Sequence, residues 1–216
     1  STPKKKQAEA ESAALSNMWR NKAVADTYMP GSVFKMCVAS AALEENLVNE
    51  KTSFTCTGSI EVEGETIHCS NISGHGTQNF VEAISNSCNP AFIQIGQMLG
   101  AGKFRQYYQG FGFSDKTGID LPGEAEDSFW KEGKMGGVDL AVASFGQNFT
   151  ITPIQMITAC AAVSNGGYVV QPHVVSKITD SKGNVIKTVD KKVKRQVISD
   201  DTSKKMKEYL EYNTER

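Results

Sequence analysis

The spacing of apolar residues changes period along this chain, and that change limits the available folds more than any other feature. Over "SVFKMCVASAALEENL", residues Phe34, Cys37, Val38, Ala41, Ala42 and Leu43 fall near one face of a 3.6-residue period. This predicts a buried helix over about 32–46, entered through Pro30 and Gly31. Residues 54–69, "FTCTGSIEVEGETIHC", alternate instead around Glu63-Gly64, the pattern of a β-hairpin. "NFVEAISNSCNPAFIQIGQMLG" reads as two helices broken at Asn89-Pro90, because proline disfavours a helical residue before it. Further helices are expected over "KFRQYYQGFG", over "VDLAVASFG", and from the Thr152-Pro153 cap to about Ser164, with a loop over "SDKTGIDLPGEAED". From Gly166 the alternation returns through "GGYVVQPHVVSKITDSKGNVIKTVD", turning at Lys182-Gly183-Asn184. "SDDTSKKMKEYLEYN" closes as a helix, acidic first and basic later as its dipole prefers. Helices and strands do not strictly alternate and nothing repeats, so the expected class is α+β with antiparallel strands.

A chain of 216 residues can bury about 70% of its unfolded surface, enough for one sizeable core. Its 23 basic and 24 acidic residues produce no field that would favour nucleic acid or an anionic membrane. The longest apolar run, around Met36 to Leu43, falls short of the roughly 20 residues of a membrane span, and no leader precedes it. The chain as given is expected to be soluble, and to be compatible with a fragment of an anchored protein. Residues 1–18, rich in Lys, Glu and Ala, read as a solvated helix or tether, with packing from about Trp19.

Ser-x-x-Lys occurs three times, at Ser1/Lys4, Ser32/Lys35 and Ser128/Lys131, so the spacing alone decides nothing. Residues three apart on a helix share a face, and Lys35 Nζ can reach Ser32 Oγ. An amine kept unprotonated by burial can take the proton of a serine hydroxyl, and a helix N-terminus offers an N–H to an oxyanion. Taken alone, the pair is equally a helix cap beside a solvated lysine. Ser87-Cys88-Asn89, the one Ser-x-Asn in the chain, sits at a helix break where side chains can enter a cleft. Ser-x-x-Lys followed by Ser-x-Asn is two-thirds of the penicillin-interactive set, in its order.

"WRNKAVADTYMPGSVFK", "HGTQNFVEAISNSCNPAFIQIGQMLG", "FGFSDKTGIDLPGE" and "ASFGQNFTITPIQMITACAAVSNGG" resemble successive blocks of the transpeptidase domain of class B penicillin-binding proteins. The resemblance runs from Trp19 to Arg216. It implies the penicillin-binding/serine β-lactamase-like fold, a helical subdomain with part of an antiparallel sheet. It also implies that Ser32 is the acylated nucleophile, Lys35 its general base, Ser87 a proton relay and Asn89 a partner of the substrate amide. The implied substrates are D-Ala-D-Ala stem peptides of peptidoglycan, with β-lactams as mimics. The implied place is the extracytoplasmic face of the bacterial membrane, beside a glycan polymerase. Two other readings share these motifs: a sensor that is acylated without turnover, and a serine β-lactamase, although no Glu-x-x-Leu-Asn segment is present. The family's third motif, Lys-Thr/Ser-Gly, is expected beyond Arg216 in the remainder of the polypeptide. Lys116-Thr117-Gly118 aligns with a structural loop, and Met29 stands where the family commonly has Glu.

Five cysteines cannot all pair. Cys37 and Cys160 lie in Ala-rich stretches and read as small core residues. With Glu63-Gly64 as a two-residue turn, Gly58 faces Cys69 and Cys56 is its diagonal neighbour, about 7–8 Å away. That exceeds comfortable disulfide reach, while a metal could gather both thiolates. His75, and Asp26 as a fourth ligand, would complete a structural Zn2+ site. A disulfide and free thiols stay open beside it, and catalysis requires no cofactor. His68 should face away from Cys69.

Overall fold

The computed structural model describes residues 3–125 and 128–212. Ser1 of the first Ser-x-x-Lys pair, Glu126 and Asp127 of the expected loop, and residues 213–216 lie outside the described residues. Helix α1 (Pro3–Trp19) has no buried side chain among those described. Packing starts later than expected: Trp19 is 80% exposed, and the first buried residue is Val24, in the short α2 (Lys22–Ala25).

A 3-10 turn, Gly31–Phe34, leads directly into α3 (Lys35–Glu44). The apolar pattern suggests one buried face, but α3 is enclosed almost all round, with Lys35 and every residue from Cys37 to Leu43 buried. Helices α5 (Asn89–Gly110), α7 (Pro153–Ser164) and α8 (Asp200–Tyr212) pack around it. Ala39, Ala41 and Ala42 permit that close approach, and a helix surrounded by others has no polar face to show. Phe34 anchors the entrance, its ring 4.9–6.4 Å from those of Phe104, Tyr108, Phe113 and Phe149. Truncating such a buried ring costs about 3–5 kcal/mol.

Strand β1 (Ser53–Cys56) does not belong to the hairpin expected over 54–69. It pairs antiparallel with β4 (Gly76–Asn79), Cys56 opposite Gly76. The hairpin is β2 (Ser59–Val62) with β3 (Glu65–His68), in the register set by the Glu63-Gly64 turn, Val62 opposite Glu65. The change of partner happens at Gly58, φ +99°, where a Cβ would lie 2.1 Å from the Ile72 carbonyl oxygen. The predicted diagonal relation of Cys56 and Cys69 is therefore wrong, for Gly58 turns Cys56 out of that hairpin.

Asn79 caps α4 (Phe80–Ser85) through a reciprocal pair with Glu82. The break before α5 spans Asn86 to Cys88, and Pro90 takes the first turn of α5 as its fixed φ prefers. Gly100, φ +71°, interrupts α5 and separates off the helix read over "KFRQYYQGFG". Short α6 (Gly137–Ala143) and α7 follow, the latter capped by Thr152 and Gln155. β5 (Tyr168–Val170) pairs with β8 (Val193–Gln196), and β6 (Lys177–Thr179) with β7 (Val185–Thr188), all antiparallel. No strand was expected at β8, where only Val193 is apolar; its pairing comes from the backbone. Helix α8 returns to the core through Met206, and Ser203 Oγ donates to the Val163 carbonyl at 2.7 Å.

Candidate active site

The turn that carries Ser32 is fixed by two glycines. Gly31 has φ +58° and its N–H donates to the Gly146 carbonyl at 2.8 Å. A Cβ on Gly146 would lie 2.0 Å from the Gly31 oxygen, so only glycine lets the "SFGQN" turn close on this point. Ser32 is exposed on the first turn, while Phe34 and Lys35 behind it are buried.

The opposite wall comes from the α4–α5 break. Cys88 N–H bonds the Ala83 carbonyl at 3.1 Å and Ser87 N–H that of Ile84 at 3.0 Å, which is a Schellman closure of α4. The left-handed residue of that closure is usually glycine; here it is Ser87, with φ +48°. A side chain in this conformation costs about 1–2 kcal/mol, and it is retained where it aims both the hydroxyl and the carbonyl of Ser87 at Lys35.

Lys35 Nζ lies 3.2 Å from Ser32 Oγ, 2.9 Å from Ser87 Oγ, 2.7 Å from the Ser87 carbonyl and 2.7 Å from Asn89 Oδ1. The lysine is only 4% exposed and stands 5.4 Å above the Phe92 ring. Burial drives its pKa down from 10.5 to about 8, against the opposing charges of Cys69 and Cys88. A neutral amine has two N–H donors and one lone pair. The Ser87 carbonyl and Asn89 Oδ1 can take the donors, leaving the lone pair to accept from one hydroxyl at a time, that of Ser32 or that of Ser87. That is the state a general base requires. Asn89 is itself oriented by donating Nδ2 to the His68 carbonyl at 3.2 Å.

The whole chain, residues 1–216, matches the family model of the penicillin binding protein transpeptidase domain. The chain belongs to the class B penicillin-binding protein transpeptidase family. It is 41% identical over 196 residues to stage V sporulation protein D of Bacillus subtilis, covering 89% of this chain and 30% of that protein. It is 35% identical over 167 residues to the peptidoglycan D,D-transpeptidase MrdA of Acinetobacter baumannii, covering 72% of this chain and 25% of that one. The chain thus spans about a third or less of these relatives. Among solved structures, penicillin binding protein 3 of Mycobacterium tuberculosis, complexed with aztreonam, superposes with a TM-score of 0.81 at 26% identity. That match covers 91% of this chain and 44% of the other. The fold is the α+β penicillin-binding fold.

Within this family frame, Lys116-Thr117-Gly118 lies in a loop outside any strand. The N–H groups of Thr117 and Gly118 both donate to the Glu124 carboxylate, and Gln171 Nε2 donates to the Gly118 carbonyl. Met29 is 59% exposed. Ser128 pairs through its backbone with Thr150, and both Ser128 and Lys131 are exposed.

Three of the four residues named for a metal, Cys56, Cys69 and His75, also converge. The donor atoms of Cys56, Cys69, His75 and Cys88 all lie within 4.8 Å of one another. Asp26, named as a fourth ligand, is not among them; its carboxylate pairs with Arg20 Nε at 2.5 Å. It precedes the Ser32 turn, whereas the thiols gather on the other wall, and the position expected for Asp26 is taken by Cys88. Sequence reading missed Cys88 because Ser87 and Asn89 already explained its motif. The available signal was a third cysteine thirteen residues after a His between glycines. Cys37 is buried core and Cys160 half-buried; His68 is exposed.

Proposed function

We propose that this chain carries the nucleophile half of a peptidoglycan D,D-transpeptidase. The observation that carries this reading is the buried amine of Lys35 held between the hydroxyls of Ser32 and Ser87. Lys35 takes the Ser32 proton as Oγ attacks the D-Ala-D-Ala carbonyl of a stem peptide. The tetrahedral intermediate expels D-Ala, which leaves with a proton relayed through Ser87, and an ester to Ser32 remains. An amine of a neighbouring stem then attacks that ester, restores the serine hydroxyl and completes the cross-link. Asn89 orients the substrate amide, and β-lactams acylate Ser32 in place of the donor. Neither step draws on a cofactor; the metal read from the sequence is structural, at the thiol cluster.

On this reading residues 19–216 form the transpeptidase unit, and the cleft's remaining wall, a Lys-Thr/Ser-Gly strand, is supplied by further polypeptide. Among the described residues no helix is long and apolar enough to cross a membrane. The site works at the extracytoplasmic face, with anchoring by other parts of the protein and a glycan polymerase alongside. Intact-mass spectrometry with penicillin, on a form that includes the third motif, tests the proposal. A lasting adduct on Ser32, absent from Ser32→Ala, is expected. Rapid turnover instead marks a β-lactamase, and an adduct that survives in Ser32→Ala refutes the assignment of the nucleophile.

A further inference from the structure

We infer that Cys56, Cys69, His75 and Cys88 form a structural zinc site whose ion ties down the segment bearing Ser87 and Asn89. Four elements deliver the donors: the end of β1, the residue after β3, the loop before β4 and the residue before α5. Three thiols are buried and the imidazole is half-buried, so the set is closed to solvent in the manner of structural sites. Gly74 and Gly76, with φ +81° and +68°, place His75 there; a Cβ on Gly74 would lie 2.4 Å from the Cys56 carbonyl oxygen.

The distances carry the choice of metal. Zinc binds sulfur at about 2.3 Å and imidazole nitrogen at about 2.0–2.1 Å, so a tetrahedral S–N edge is about 3.6 Å. Cys69 Sγ and His75 Nδ1 are 3.6 Å apart. Three sulfurs and one nitrogen within 4.8 Å of one another suit zinc and offer little to hard cations such as magnesium or calcium.

One further observation points to an anionic sulfur at this place. Gln78 Nε2 is buried with no hydrogen-bond partner, among the described residues the one such side-chain nitrogen or oxygen. The Gln78 side chain lies against Cys88, where a metal-bound thiolate would accept from that nitrogen more strongly than a thiol does. A disulfide would engage only two of three sulfurs and leave the imidazole without a role.

The consequence for catalysis is positional. Cys88 stands between Ser87 and Asn89, and the Asn89 N–H bonds the Cys69 sulfur. An ion here holds the strained Ser87 and its neighbour against Lys35, so the four donors act as positioning residues. This half of the inference rests on the transpeptidase reading; the metal half does not.

The tag-free chain, purified reduced and without chelator, should retain one zinc by elemental analysis. Exchange with cobalt should give the intense visible bands of a tetrahedral thiolate site. Cys56→Ser and His75→Ala should lose zinc and Asp26→Asn should keep it. Folded wild-type protein with neither zinc nor cobalt bands, or a disulfide among these cysteines that dioxygen forms readily with zinc present in excess, overturns the site. Cobalt spectra need no variant and remain decisive if the substitutions unfold the chain. On the form that reacts with penicillin, removing zinc should slow acylation about 10–100-fold, the usual cost of losing an orienting shell, and added zinc should restore it. Unchanged acylation in metal-free protein overturns the positioning half alone. Absence of acylation with zinc bound counts against the transpeptidase reading and leaves the site standing.

Discussion

Ser32/Lys35 and Ser128/Lys131 have the same residues at the same spacing, and the molecule treats them differently. Lys35 is buried against Phe92 with four oxygens around its nitrogen, three from Ser87 and Asn89 on the opposite wall and one from Ser32 in the turn before its own helix. Lys131 is exposed at the rim of a cavity of about 440 Å3 lined by Arg105, Gln106 and Trp130, and Ser128 is engaged through its backbone. Spacing makes the encounter of hydroxyl and amine possible. Desolvation and converging acceptors make the amine a base.

The comparison is broken most sharply by removing each amine in turn. Lys35→Ala should cut the rate of penicillin acylation by about 10²–10⁴-fold, the range for a general base. Lys131→Ala should leave that rate within about twofold, as a surface substitution does. Comparable losses in both, measured by stopped-flow or labelled penicillin, would erase the distinction between the two pairs.

Acidity sharpens it further. Because burial sets the Lys35 pKa at about 8, acylation should rise with pH to a midpoint near 8 and fall about tenfold per unit below it. The linked stability has the same sign. Between pH 8 and 10.5 the unfolded lysine is protonated and the folded one is not, so unfolding takes up a proton and stability rises with pH across that window. A profile flat from pH 6 to 9 contradicts the buried amine. Lys→Ala at position 35 should remove both dependences.

The smallest effect is the most diagnostic of strain. Ser87→Gly relieves the left-handed backbone and should stabilise the fold by about 1 kcal/mol, seen as a higher melting temperature. It also removes the hydroxyl proposed as the relay and should slow acylation about tenfold or more. Loss of stability together with activity would show that Ser87 is a structural cap and no more.

Much of this site was legible before any coordinates. Ser32, Lys35, Ser87 and Asn89 were named from two motifs, and the structure brings all four together. The Thr152 cap and the Glu63-Gly64 turn follow from local chemistry and were readable for that reason. What failed was longer in range. Cys56 was placed in the wrong hairpin because the glycine at 58 permits a change of partner that alternation cannot reveal. Asp26 was named for its closeness in sequence to the nucleophile, and Cys88 was overlooked because its neighbours had claimed its motif.

The sequence by itself determined which residues form helices, where they are capped, and which hydroxyls and amines are available, since those depend on bonds a few residues long. The tertiary structure alone decided that Lys35 is dry, that Ser87 is strained toward it, and that three thiols and an imidazole share one small volume. Burial and convergence are properties of chain segments brought together from afar. No local pattern encodes the dielectric around an amine or the distance between donors on four separate elements.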